Sequence, residues 1–311
     1  MCELFSGQST LYHTLTDCTL CPRNCHVDRL SGISGYCGQT ASIVAARAAL
    51  HYWEEPCLSG ENGSGAVFFS GCNMRCVFCQ NYHIAHNQTG KEISPERLAD
   101  IFLELQDKKA HNINLVTPTH YVPQIICALE RAKSQGLSVP VVYNTSGYEK
   151  TDTLKALEGL IDIYLPDLKY HDSHLSRKYS NAPDYFAVAS AAIQEMVRQT
   201  GSPVFVSGED SLMLKGVIVR HLLLPGCEND SRYLLQYLHS TYGNHIYISI
   251  MNQYTPLPQV ASFPELNRKI TDEEYEAMIN YAIEIGIENG FIQEGETASE
   301  SFIPAFDCEG I

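Results

Sequence analysis

The sequence predicts an α/β fold, a partial (β/α)6 TIM-like barrel preceded by a small cysteine-rich segment. Three observations predict it. Short apolar runs alternate with amphipathic stretches of helical spacing from about residue 65 to 285, a pattern that gives a parallel sheet with helices outside. Six such strands suit a partial barrel, and an open doubly wound sheet gives the same alternation. The N-terminal part lacks the alternation and carries a compact group of cysteines instead. The expected organisation is a cysteine-rich segment and connector over residues 1–59, a core over 60–256 and a C-terminal extension over 257–311.

The first strand is Gly65-Ala66-Val67-Phe68-Phe69, an apolar run bounded by glycines. Ser94-Pro95-Glu96-Arg97 opens a helix, with serine as N-cap and proline in the first turn. Leu98, Ile101, Phe102 and Leu105 follow at helical spacing. Next come a strand over 112–116, a helix over 122–134 and a strand over 139–143. A helix over 152–160 leads to a strand over 161–165. A helix over about 190–200, a strand over 217–224 and a helix over 231–241 follow, and then a strand over 245–250. The last helix runs over 271–285, with Thr271 as cap and Glu274 three residues on.

The first strand runs straight into Gly71-Cys72-Asn73-Met74-Arg75-Cys76-Val77-Phe78-Cys79, a C-x3-C-x2-C spacing with no fourth cysteine close behind. A [4Fe–4S] cluster has four irons and normally takes four thiolates. Three thiolates leave one iron open to another ligand, whereas a structural zinc site closes with four protein ligands. The cysteines sit on a loop leaving the end of a strand, which is where parallel α/β folds bind ligands. Phe78 can shield one side of a cluster or an adenine ring.

Strand, C-x3-C-x-aromatic-C and the strand–helix repeats resemble a radical S-adenosylmethionine (radical SAM) enzyme, over roughly residues 60–256. The similarity is to the pyruvate formate-lyase activating enzymes and their uncharacterised relatives. It implies that Cys72, Cys76 and Cys79 hold a [4Fe–4S] cluster and that S-adenosylmethionine chelates the open iron. It further implies reductive cleavage to a 5′-deoxyadenosyl radical, which takes a hydrogen atom from the substrate, with reduced flavodoxin or ferredoxin as electron donor.

Strand two ends in Thr117-Pro118-Thr119-His120, where the activating enzymes carry a Gly-Gly-Glu-Pro-like motif for the methionine amine. Thr117 and Thr119 offer hydroxyls and carbonyls instead, and His120 is a site residue or a helix cap. Strand three ends in Asn144-Thr145-Ser146-Gly147, similar to an Asp-Thr-Asn-Gly loop, with Asn144 and Ser146 at the polar positions; a plain turn is the alternative. Asp167-Leu168-Lys169 matches the family's Asp-Leu-Lys residue for residue. Its acid and amine, two apart on an extended segment, point the same way; they suit ribose hydroxyls and the methionine carboxylate, or a structural ion pair. Arg220 stands on strand five, where an inward guanidinium can clamp a carboxylate. Gln253 or Asn252 lies near a position where the activating enzymes carry a histidine. Upstream, His51-Tyr52-Trp53-Glu54-Glu55-Pro56 either lines the barrel mouth or packs as a connector.

Cys18, Cys21, Cys25 and Cys37 form a second group, C-x2-C-x3-C-x11-C. Four soft ligands suit tetrahedral zinc or a fully ligated iron–sulfur cluster. His26 is a substitute ligand or a surface residue.

The chain has 311 residues and a formal net charge of −15, which disfavours a nucleic-acid backbone as partner. No run approaches the roughly 20 apolar residues of a membrane span, and the N-terminus lacks a basic segment followed by an apolar core. Seven of the 12 cysteines fall into the two groups, so a reducing cytoplasm is expected rather than a disulfide framework. The leading function is hydrogen abstraction from a substrate, which the resemblance implies is a glycine of a partner protein; radical modification of a small molecule or peptide fits equally. The non-enzymatic alternative is an iron–sulfur electron carrier or redox sensor.

Overall fold

A computed structural model describes residues 8–207, 211–293 and 304–311. The chain opens with α1 (Gln8–His13) and a stretch of turns, followed by β1 (Ile43–His51), α2 (Pro56–Ser59), β2 (Ser64–Phe69), α3 (Tyr82–Ala85), β3 (Lys91–Ile93) and α4 (Pro95–Asp107). Then come β4 (Ile113–Val116), α5 (Val122–Ser134), β5 (Val141–Thr145), α6 (Thr151–Lys155), β6 (Ile163–Pro166), α7 (Ser173–Ser180) and α8 (Tyr185–Thr200). The remainder is β7 (Val204–Phe205), β8 (Met213–Leu222), α9 (Glu228–Tyr242), β9 (Tyr247–Met251), α10 (Asp272–Glu284) and β10 (Gly290–Ile292).

The sheet runs β10-β9-β8-β6-β5-β4-β2-β1-β3, with β7 paired to β8. From β2 to β10 every neighbouring pair is parallel and the order follows the chain. A doubly wound sheet would reverse direction at a switch point. This sheet never does, so it curls one way as an open, TIM-like part-barrel. Every residue of β2, β4, β5 and β6 is buried, as expected where helices cover one face and a packed interior the other.

The caps read from the sequence form. Ser94 Oγ accepts from Arg97 N at 3.1 Å, and Thr271 and Glu274 make a reciprocal capping box. The helix expected over 152–160 is shorter, ending at Lys155, and α8 starts at Tyr185 rather than near 190.

Strand β1, not anticipated, pairs antiparallel with β2 and with β3. Its run Ile-Val-Ala-Ala-Arg-Ala-Ala-Leu-His is alanine-rich, so local propensity does not announce a strand and tertiary pairing decides. The C-terminal residues continue this edge: Cys308 N donates to Ala46 O and Glu309 O accepts from Ala48 N. Arg47 pairs with Asp307 and Glu309, and Phe306 meets the edge of the Phe68 ring. The N-terminal turns dock on the barrel through Lys150 Nζ to Thr19 O (2.8 Å) and Thr153 Oγ1 to Leu20 O (2.7 Å).

Candidate active site

The C-terminal ends of β2, β4, β5, β6, β8 and β9 enclose a cavity of about 390 Å³. Cys72, Cys76 and Cys79 line it on the loop after β2, beside Met74 and Phe78. Gly71 lets the chain leave the strand: its φ is +89°, and a Cβ there would stand 2.8 Å from Cys37 O. Phe78 is buried and sits edge-on to Tyr170 and Tyr254.

Two of the triad sulfurs accept hydrogen bonds: Met74 N donates to Cys72 Sγ at 3.3 Å and Ser180 Oγ to Cys76 Sγ at 2.9 Å. In the N-terminal group, Tyr36 N donates to Cys25 Sγ at 3.2 Å and the Arg29 guanidinium reaches Cys18 Sγ at 3.9 Å. A neutral thiol is a weak acceptor, so the four sulfurs that meet donors suit thiolate ligands oriented by their surroundings. Burial pushes the Cys21 thiol up to about 12, and also raises Cys37, Cys76 and Cys79; without an ion these groups hold their protons. Among the described residues, no three or more His, Cys, Asp or Glu side chains converge tightly enough to hold a single metal ion.

The polar wall is one connected network. Arg220 on β8 pairs with Asp167 (Nε–Oδ1 3.1 Å) and with Glu54 (Nη1–Oε2 3.2 Å), and its Nη2 donates to Asn144 Oδ1 at 2.6 Å. Lys169 Nζ pairs with Asp167 Oδ2 at 2.6 Å. Glu54 Oε1 also accepts from Asn114 and Asn144 amides, at 2.9 and 3.3 Å. Burial pushes Asp167 up, but the Lys169 and Arg220 charges outweigh it and hold its carboxyl below the ordinary value. Burial raises Glu54, with Arg220 only partly offsetting it. Lys169 lies close enough for its charge to act on Cys76 and Cys79.

The backbone at this end is strained. Thr117 has φ +59° and Arg75 φ +54°. A β-branched residue in the left-handed region is an outlier, of the kind that gathers at functional sites. The Ser146 hydroxyl, in the cavity wall, is buried without a hydrogen-bond partner. An orphaned donor, thiols with their own donors and a mixed-charge network fit a thiolate-bound cluster and a zwitterionic cofactor beside it.

Of the residues singled out in the sequence, Cys72, Cys76, Cys79, Phe78, Thr117, Asn144, Ser146, Asp167, Lys169, Arg220 and Gln253 all line this cavity. Thr119 does not. The chain enters a 3-10 turn at Thr119–Tyr121, and Thr119 Oγ1 turns away to donate to buried Glu149 at 2.5 Å. His120 is not the cap, which is Pro118, and does not line the cavity. It is buried, with Nε2 on Ser70 O at 2.7 Å, and desolvation lowers its pKa to about 3. His26 is exposed and meets Asp17 at 2.9 Å. The connector 51–56 sends His51, Trp53 and Glu54 into the cavity wall. Glu54 was not picked out as a partner of Arg220, and only its carboxylate ahead of the first barrel strand hinted at it. Gln293 and Pro304, from the C-terminal extension, also line the cavity. Gln293 Nε2 donates to Gln253 Oε1 at 3.1 Å.

Among the described residues no helix is long and apolar enough to cross a membrane. The uncharacterised protein MJ0674 of Methanocaldococcus jannaschii is 27% identical over 276 residues, covering 86% of this chain and 74% of that protein. SuiB of Streptococcus suis bound to its precursor peptide SuiA aligns at 15% identity and a TM-score of 0.49, over 73% of this chain and 47% of SuiB. This chain therefore spans about half the length of SuiB. A domain of pyruvate-formate lyase-activating enzyme from Bacteroides vulgatus aligns at 15% identity and a TM-score of 0.38, over 56% of this chain and 92% of that domain. The radical SAM superfamily model matches residues 66–223, which run from β2 to the end of β8 and take in the triad, Asp167, Lys169 and Arg220. With more than half of its length matched, the chain belongs to the radical SAM superfamily and is an enzyme of that class.

Proposed function

We propose that Cys72, Cys76 and Cys79 bind a [4Fe–4S] cluster and that the cavity beside them binds S-adenosylmethionine for hydrogen abstraction from a substrate. The observation that carries this reading is that the three thiols and the Asp167–Lys169–Arg220 network line one cavity. When bound, the pair supplies a 5′-deoxyadenosyl radical by one-electron cleavage of the sulfonium, with reduced flavodoxin or ferredoxin as donor.

The chain's own residues bind, orient and shield. Arg220, held by Glu54 and Asp167, presents its guanidinium for a carboxylate. Asp167 and Asn144 accept from hydroxyls or an ammonium, and Lys169 balances the thiolate charge. Ser146 offers its free hydroxyl and Thr117, also in the cavity wall, its backbone carbonyl. Gln253, fixed by Gln293, closes one side, and Phe78 walls off the sulfur side from water.

The substrate enters past Trp53, which is 63% exposed at the cavity rim beside Tyr52, 51% exposed. Exposed aromatic residues suit a macromolecular contact, which supports a protein substrate such as a glycyl-radical protein. We infer that the N-terminal cysteines Cys18, Cys21, Cys25 and Cys37 are the ligands of a second metal centre, zinc or iron–sulfur, which would draw them together on binding; the donors to Cys18 and Cys25 support this.

The test is anaerobic reconstitution with iron and sulfide, reduction, addition of S-adenosylmethionine, and detection of 5′-deoxyadenosine. A chain with an intact, reducible cluster that yields none overturns the enzymatic reading in favour of an electron carrier. Metal analysis of the Cys72→Ala, Cys76→Ala, Cys79→Ala triple variant identifies the N-terminal metal, and a metal-free triple variant refutes the second centre.

A further inference from the structure

Arg23 lies inside the N-terminal cysteine group, between Cys21 and Cys25, yet its guanidinium works on the triad. Nε donates to Asn73 O at 2.7 Å, within the loop between Cys72 and Cys76. Nη1 donates to Asn181 O at 2.5 Å and Nη2 to Ser180 O at 3.1 Å. Those two carbonyls end α7 and have no partner inside the helix, and a cation there also meets the negative end of the helix dipole.

The same helix end holds the triad directly. Tyr179 O accepts from Val77 N at 2.9 Å, and the Ser180 hydroxyl donates to Cys76 Sγ. Asn73, fully buried, is fixed from a second side by its amide on Tyr148 O at 2.8 Å. Arg23 is itself held between two rings, 4.0 Å from the Tyr36 centroid and 5.1 Å from that of Tyr148. Tyr36 directly precedes Cys37. One guanidinium therefore ties the N-terminal turns, the end of α7 and the triad loop together.

We propose that Arg23 is a positioning residue through which the N-terminal cysteine segment sets the shape and sulfur hydrogen bonding of the Cys72–Cys79 loop. An ordered N-terminal segment is then a requirement for a uniform cluster at the triad, and a metal that orders that segment favours cluster uptake 50 residues away. The inference rests on the proposal that the triad binds a cluster.

The test compares the parent with Arg23→Ala, Arg23→Lys, Ser180→Ala and the double variant of Arg23→Ala with Ser180→Ala. Expected for Arg23→Ala are loss of half or more of the triad iron, a broadened electron paramagnetic resonance signal from the reduced cluster, and a more negative midpoint potential, because hydrogen bonds to sulfur raise it. Arg23→Lys, which keeps the charge but reaches fewer carbonyls, recovers part of each. Ser180→Ala shifts the potential in the same direction, and the double variant shifts it little further, since both changes remove one hydrogen bond. Hydrogen exchange is read on the metal-free chains, where amides 73–77 exchange at least tenfold faster in Arg23→Ala. Parent-like iron content, spectrum, potential and exchange in Arg23→Ala overturn the inference, as do fully additive potential shifts. If Arg23→Ala does not fold, the same readouts on Arg23→Lys decide, and a parent-like result there overturns it equally. A parent chain that takes up no triad iron refutes the cluster proposal, while the exchange rates still decide whether Arg23 orders the loop.

Discussion

Glu54 and Arg220 form an ion pair at 3.2 Å inside the barrel, 166 residues apart in the chain. Both side chains are largely withdrawn from water, at 8% and 15% exposure. The guanidinium also holds Asp167 and Asn144, so losing Glu54 weakens the network without stripping it. Glu54→Gln is expected to cost about 1–2 kcal/mol of stability, the scale of one charge-assisted hydrogen bond, read as a lowered Tm. Affinity for S-adenosylmethionine should fall by about tenfold, since a less constrained Arg220 binds a carboxylate less well. Equilibrium dialysis measures it, and a parent-like Kd would show that Glu54 has no part in binding.

Cys76→Ala removes one of the three proposed cluster ligands and the acceptor of the Ser180 hydroxyl. Iron at the triad and formation of 5′-deoxyadenosine should both fall below a tenth of the parent, with the metal proposed for the N-terminal cysteines retained. Cleavage at the parent rate in this variant would remove the triad from the site.

Glu149 is buried, with Thr119 and Thr145 donating to one carboxyl oxygen and the other oxygen unpartnered. Desolvation raises its pKa from 4.5 to about 7, more than the Thr119, Thr145 and Tyr143 hydroxyls lower it. The folded chain thus keeps a proton up to about pH 7 that the unfolded chain gives up near 4.5. Stability falls as pH rises through that window, by about 3 kcal/mol for a shift of this size. Glu149→Gln carries no ionisable group, so the Tm of the parent should drop relative to the variant between pH 5 and 7. A Tm difference that stays constant over this range contradicts the prediction.

Thr117 occupies the left-handed region at the end of β4. Relief of that strain favours Thr117→Gly by about 1–2 kcal/mol, partly offset by the greater freedom of glycine when unfolded. The variant should melt slightly higher and bind S-adenosylmethionine more weakly, as the Thr117 carbonyl is no longer fixed. Differential scanning calorimetry with dialysis checks both; a loss of stability would show that Thr117 is not strained.

What the sequence made legible is what local chemistry decides. The span Val122–Ser134 is the helix expected, and Thr271 with Glu274 caps α10, because both signals lie within a few residues. Asp167-Leu168-Lys169 stood out because period-two geometry aims both charged groups one way. What stayed hidden depended on distant partners. The alanines of β1 become a strand only against β2, and Glu54 becomes a site residue only when β8 brings Arg220 to it. Thr119 reads as equivalent to Thr117, but the positive φ of Thr117 and the turn after it send the second hydroxyl to Glu149.

Trp53 is the single tryptophan of the chain and stands in the cavity wall. The protein therefore carries its own optical reporter. Its ultraviolet emission comes from one place, the wall of the cavity that the triad also lines, with no background from other indoles. Iron–sulfur chromophores absorb in the near ultraviolet, so cluster insertion is expected to dim that emission. Subsequent entry of a ligand into the cavity should alter it again, so that loading and binding become two separable signals in one unlabelled sample.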